Sequence, residues 1–238
     1  MRIRLPLGRS LFFLCAFLFA LVALLPLRLA LDWLGLDDKG FAAREARGSV
    51  WLGALSEAQL GSVDLGDLEA GLRTLPLFVG RARIDLERNE EGNRFAGSAT
   101  LSRHDFGIDD VTASLDVSSA LAPLPVATLD LADVTARFAD GQCAAAEGLV
   151  KATIAGDVAG LALPAGLGGN ARCDGGALLL PLVSQSGMEA LNVRLFEDGR
   201  YRLELAVRPS DDAMRDRLLA SGFALTNSGY VLSVSGEF

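Results

Sequence analysis

The sequence predicts a mainly β protein: a single N-terminal transmembrane helix, then a curved, mostly antiparallel β-sheet domain with one helix near the C-terminus. Three observations point there. Short segments alternate apolar and polar side chains, which puts every second residue on one face of a sheet. The 26 glycines among 238 residues imply many turns between those segments. One uncharged run, Leu11 to Leu27, stands apart from all that follows it.

That run sets the expected topology. At 1.5 Å per residue its 17 residues cover about 25 Å, close to a hydrocarbon core, and short extensions on either side complete a span. Arg2, Arg4 and Arg9 precede it, and Asp32, Asp37 and Asp38 follow it. The positive-inside rule then gives a cytoplasmic N-terminus at 1–9, a signal-anchor helix at 10–31 and a periplasmic β-rich domain at 32–238. A cleavable signal peptide competes, but Ala30 with Arg28 two positions before it makes a poor small-residue cleavage site. Trp33 suits either the outer membrane interface or a packing role against the body.

Charge narrows the function classes. There are 30 acidic and 22 basic residues, three of the latter before the run, so the exported part is eleven units negative. Such a body lacks the clustered Lys and Arg that nucleic acid requires. Cys15 lies in the apolar run, whereas Cys143 and Cys173 share the exported domain, where an oxidising compartment permits a disulfide. Two free thiols are the alternative.

Alternation marks strands at Ala82–Glu87, Val111–Val117, Thr128–Phe138, Leu149–Val158, Ala177–Val183, Leu191–Phe196, Tyr201–Val207 and Tyr230–Val234. Asp198-Gly199 between two of them predicts a tight hairpin. Leu161–Gly169 has no period and reads as a loop. Pro209 and Ser210, with Asp211 and Asp212 in a first turn and Gly222 as a stop, predict a helix whose Met214, Leu218 and Ser221 face the sheet.

No catalytic constellation is legible, so the sequence implies no enzyme, no cofactor and no metal site. The one histidine, His104, stands beside an expected turn, and Ser184-Gln185-Ser186-Gly187 reads as a turn between strands. The acidic pair Asp109-Asp110 reads as another turn.

A set of segments carries a resemblance instead. Arg47-Gly48-Ser49-Val50-Trp51-Leu52-Gly53-Ala54 is followed by Gly66 to Leu72 and by Leu75-Pro76-Leu77-Phe78-Val79-Gly80-Arg81. Gly141-Gln142-Cys143, Ala171 to Gly175, Leu195 to Tyr201, Pro209 to Phe223 and the closing Gly236-Glu237-Phe238 come in order behind them. Together they resemble type II secretion system protein N, also called general secretion pathway protein N. The resemblance singles out Gly48, Trp51, Gly53, Pro76 and Gly80 as motif residues. It implies a non-enzymatic accessory component of the inner membrane that supports export of folded periplasmic proteins across the outer membrane. Its expected partners are other components of that system in the inner membrane and periplasm. A reading from another class is a membrane-anchored, lipid-handling protein with an AsmA-like β-groove, which the alternation fits as well as it fits a packed sheet.

Overall fold

The computed structural model describes residues 7–34, 40–90, 93–122, 124–158, 161–162, 165–209 and 212–237. Two helices open it, α1 (Leu7–Ala23) and α2 (Leu27–Leu34). Six strands follow, β1 (Phe41–Ser49), β2 (Leu52–Leu60), β3 (Val63–Leu72), β4 (Ala82–Glu90), β5 (Asn93–Leu101) and β6 (Asp105–Asp116), with the one-turn helix α3 (Thr74–Leu77) between β3 and β4. Then come β7 (Val126–Ala139), β8 (Gln142–Ile154), β9 (Asp157–Val158), β10 (Leu161–Ala162), β11 (Gly166–Asn170), β12 (Arg172–Asp174) and β13 (Ala177–Val183). The chain finishes with β14 (Glu189–Leu195), β15 (Arg200–Val207), α4 (Asp212–Ala220), β16 (Ala224–Thr226) and β17 (Gly229–Glu237).

Fifteen of these strands form one open antiparallel sheet, in the order β1 through β8, then β11, β13, β14, β15, β17, β16, with β12 beside β13. The expected mainly β, mostly antiparallel body with one helix near the end is therefore what folds. The hairpin at 196–199 is there too, but only Gly199 takes a positive φ, of 83°. Phe196 N–H reaches the Arg200 carbonyl and Gly199 N–H the Phe196 carbonyl, so the loop has three residues and not two.

The N-terminal segment departs from expectation. The continuous helix over 10–31 is broken after Ala23, because Pro26 has no N–H for the Val22 carbonyl and disfavours helical geometry at the residue before it. The 17 residues of α1 are exposed from Leu11 to Val22. Among the described residues, no helix is long and apolar enough to cross a membrane. The second helix is a different object: Leu27 is buried and Leu31 packs beside it against Leu55, Ala58 and Leu68, so α2 caps the β1–β3 end of the sheet.

At the other end, α4 packs through Leu218, which is fully buried, and Met214. Gly222 has φ 89° and donates to the Leu219 carbonyl, while Phe223 N–H donates to Leu218. This pair of bonds is the Schellman stop, and its apolar contact is made by buried Phe223 and Leu218. Ser221 is exposed and takes no part in the packed face. Ser210 and Asp211 lie outside the described residues.

Two further expectations are corrected. Leu161–Gly169 holds β10 and most of β11, since Gly166 to Asn170 pair with Leu149 to Thr153 of β8 through main-chain bonds that need no side-chain period. Asp109-Asp110 lies within β6, at a bulge that sets the two residues against one on β7. Asp109 is buried, and Asp110 adopts φ 54°.

Two further bulges take the same form. Glu57 on β2 and Asp133 on β7 also have positive φ, of 48° and 51°, each at a shift of register. In all three cases the displaced N–H is taken up by a side chain on the adjacent strand. Glu57 N–H donates to Asp67 at 2.8 Å, Asp110 N–H to Thr135 at 3.1 Å and Asp133 N–H to Thr112 at 3.1 Å. Bulges bend a strand and increase its twist, and the bulge at Asp110, like the other two, does so with its displaced donor paired.

Next to it, Arg137 from β7 and Thr100 from β5 converge on the buried Asp109 carboxylate at 2.6 and 2.8 Å. Burial pushes that carboxyl up, but the hydrogen bonds from Arg137 and Thr100, with the charges of Arg137 and Arg83, outweigh it and hold the group below the usual range. A lowered folded value stabilises the fold above the unfolded value of about 3.9, and the contribution is lost as pH falls through the folded value. Asp109→Asn is therefore expected to cost about 1–2 kcal/mol at neutral pH. Urea unfolding should show this gap from the parent chain shrinking below about pH 4.

Candidate functional site at the helix–sheet junction

The turn between β1 and β2 meets the break between α1 and α2. Pro26 removes the i+4 donor to the Val22 carbonyl, which accepts instead from Leu25 N–H at 3.3 Å and from the Trp51 indole N–H at 3.0 Å. Val50 N–H likewise takes the Leu25 carbonyl at 2.9 Å, and Pro26 bridges Ser49. Trp51 thus helps to close the end of α1. Val50 is buried, and its carbonyl accepts from Leu72 N–H, which carries the junction across to β3.

The glycines of this turn are required by close approach. Gly48 has φ 82°, and a Cβ there would stand 2.5 Å from the Leu52 carbonyl oxygen. At Gly53 a Cβ would stand 2.5 Å from the Leu27 side chain. The motif is a socket: small residues let the backbone of the hairpin touch the base of α2, and Trp51 reaches over to α1.

Pro76 and Gly80 lie on the neighbouring connection, in and after α3. The Pro76 carbonyl accepts from Val79 and Arg81, and Gly80, at φ 74°, ends the turn. A shallow cleft lined by Trp51, Leu72, Arg73, Thr74 and Leu75 joins this loop to the socket. All five motif residues therefore sit at one end of the sheet. Around them Leu52, Leu75, Phe78 and Val79 are 74–86% exposed, as is Trp33 at 88%, which has not packed against the body. Sequence reasoning did not single out these apolar loop residues. Their signal was available in the Leu-Phe-Val run between β3 and β4, which has no strand partner to bury it.

Cys143 and Cys173 belong to another region. They form a disulfide between β8 and β12, with Cα atoms 5.5 Å apart. The bond spans the end of a ladder: β8 pairs with β11 to Leu149–Asn170, Ala171 N–H still donates to the Gly148 carbonyl, and beyond that β12 takes β13 as its strand partner. Cys15 is free and exposed on α1.

His104 is exposed in the turn between β5 and β6, 3.8 Å from Asp140. In the turn after β13, Ser184 and Ser186 hydroxyls lie 2.9 Å apart, and Ser186 donates to Glu189 at 2.9 Å, bonds that tie the turn to itself.

A family model described as type II secretion system (T2SS), protein N, matches residues 39–233. It covers the socket, the α3 loop, the disulfide and α4. No match was found among curated proteins or among solved structures. The matched region takes in nearly the whole sheet, and on that ground the chain belongs to the type II secretion system protein N family.

Proposed function

We propose that the protein is a non-enzymatic accessory component of the type II secretion system, held in the inner membrane by α1 with its sheet domain in the periplasm. In that position it supports export of folded periplasmic proteins across the outer membrane through contacts with other components of the system. The observation that carries this reading is the family match over 39–233. The basic residues before α1 and the acidic ones after it support the orientation. The all-round exposure of Leu11 to Val22 supports an apolar medium around the helix. Among the described residues the sheet also ends in β1, whose strand partner is β2; apart from Ser49, which bridges Pro26, its backbone from Phe41 to Gly48 is an edge on the other side.

Less stands behind the lipid-groove alternative. The apolar side chains of the larger core are enclosed by one another, and Val150, Leu182, Leu203 and Leu218 among them are 0% exposed.

In-frame deletion tests the reading. Normally secreted proteins are expected to accumulate in the periplasm while the envelope stays intact, and complementation should restore their release. Unchanged secretion with a leaky envelope would overturn it in favour of lipid handling.

A further inference from the structure

We propose that the α3 loop, Leu75 to Val79, together with Leu52, enters the headgroup and upper acyl region of the same bilayer that surrounds α1. This would give the domain a second membrane contact beside its helix. The inference rests on the anchored reading of α1.

Four observations carry it. Leu52, Leu75, Phe78 and Val79 expose 84, 79, 86 and 74% of their surface, a concentration of large apolar side chains that water does not favour. The loop is also continuous with α1, because Trp51 hydrogen-bonds the last turn of that helix and lines one cleft with Leu75. A medium that covers every side of α1 up to Val22 reaches this loop as well, whereas a protein partner covers one side of a helix.

The loop backbone is suited to lipid. Phe78, Val79, Gly80 and Arg81 N–H groups donate to the Leu75, Pro76, Leu77 and Pro76 carbonyls, so these donors need no water. Finally, exposed Arg81 follows the apolar tip, where a long cationic side chain reaches phosphate while its stem lies against acyl chains; Arg73 before the tip is ion-paired to Asp85. The depth is interfacial, as for other surface-seated apolar segments.

The test uses the full chain in vesicles of phosphatidylcholine and phosphatidylglycerol. With Cys15→Ala removing the free thiol and the disulfide left closed, an environment-sensitive fluorophore is placed at Phe78→Cys, at Phe17→Cys in α1, or at Gly187→Cys in a distant turn. The label at 78 is expected to resemble that at 17: blue-shifted, quenched by brominated acyl chains and protected from aqueous iodide. The label at 187 should show the reverse. If the label at 17 is buried in lipid while that at 78 is quenched by iodide, the anchor stands and the second contact falls. If both are open to iodide, the anchored reading fails and takes this inference with it. Protection at 78 from both quenchers would mean that protein covers the loop, which also overturns the proposal.

Discussion

Replacing Cys143 and Cys173 together by serine is expected to lower the stability of the sheet domain by about 3.5 kcal/mol. The bond closes a loop of 30 residues, and constraining the unfolded chain to that extent contributes about this much in the chain-entropy model. The loss should also be local. After Ala171, whose N–H donates to the Gly148 carbonyl, the ladder linking β8 to the following strand stops; β12 is tied to β8 by the disulfide, and Cys143 N–H reaches the Gly176 carbonyl in the turn beyond β12. Amide exchange should therefore rise at Arg172–Asp174 in the double variant, while β14 and β15 stay protected under conditions that leave it folded. Urea unfolding of the full chain in detergent, oxidised against substituted, measures the first effect. A difference under about 1 kcal/mol would mean that the unfolded chain is not the main target of the bond.

The second large effect is expected where that ladder stops. Gly148 has φ 110°, and a Cβ there would lie 2.5 Å from the Asp133 carbonyl oxygen and 2.5 Å from Val134 Cα. Two residues of β7 oppose this one residue of β8, and the bulge depends on their close approach. Gly148→Val combines a backbone conformation that side chains avoid with a clash against rigid main chain. Together these should cost about 4 kcal/mol. Gly175→Ala separates the two causes, because Gly175 also has positive φ, 58°, but has open space where the Cβ would go. It is expected to cost about 1 kcal/mol. Thermal unfolding of the two variants compares them, and equal losses would remove the clash from the account.

Much of the sheet was legible because alternation is a local property. Val111–Val117, Leu191–Phe196 and Tyr201–Val207 could be assigned from spacing, since period-two patterns need no knowledge of neighbours. Gly199 and Gly222 were legible for a similar reason, as the left-handed conformation is a demand on one residue. The break in the N-terminal helix was not legible, because an apolar run of 17 residues outweighs the single proline in it. Pro26 acts on one carbonyl, and what becomes of that carbonyl depends on Trp51, some 29 residues later.

Of the candidate site, the motif residues were visible as a resemblance, but their meeting place was not. Nothing in Gly48-Ser49-Val50-Trp51 states that its indole caps a helix, or that Pro76 and Gly80 fold back beside it. The bulge acids were equally hidden. Glu57, Asp110 and Asp133 occupy ordinary polar positions in alternating segments, and only the oxygen atoms of Asp67, Thr135 and Thr112 on adjacent strands make their unusual backbone tolerable.

By itself, then, the sequence determined many of the strands, the turns at Gly199 and Gly222 and the excess of acid after the apolar run, because each of these follows from neighbouring residues alone. The tertiary structure decided the register, the bulges at Glu57, Asp110 and Asp133, the Asp109–Arg137 pair and the joining of Trp51 to α1. Period two says which face a side chain occupies, but not which strand lies beside it. A donor or charge displaced from its regular partner finds another only when two strands have already been brought together.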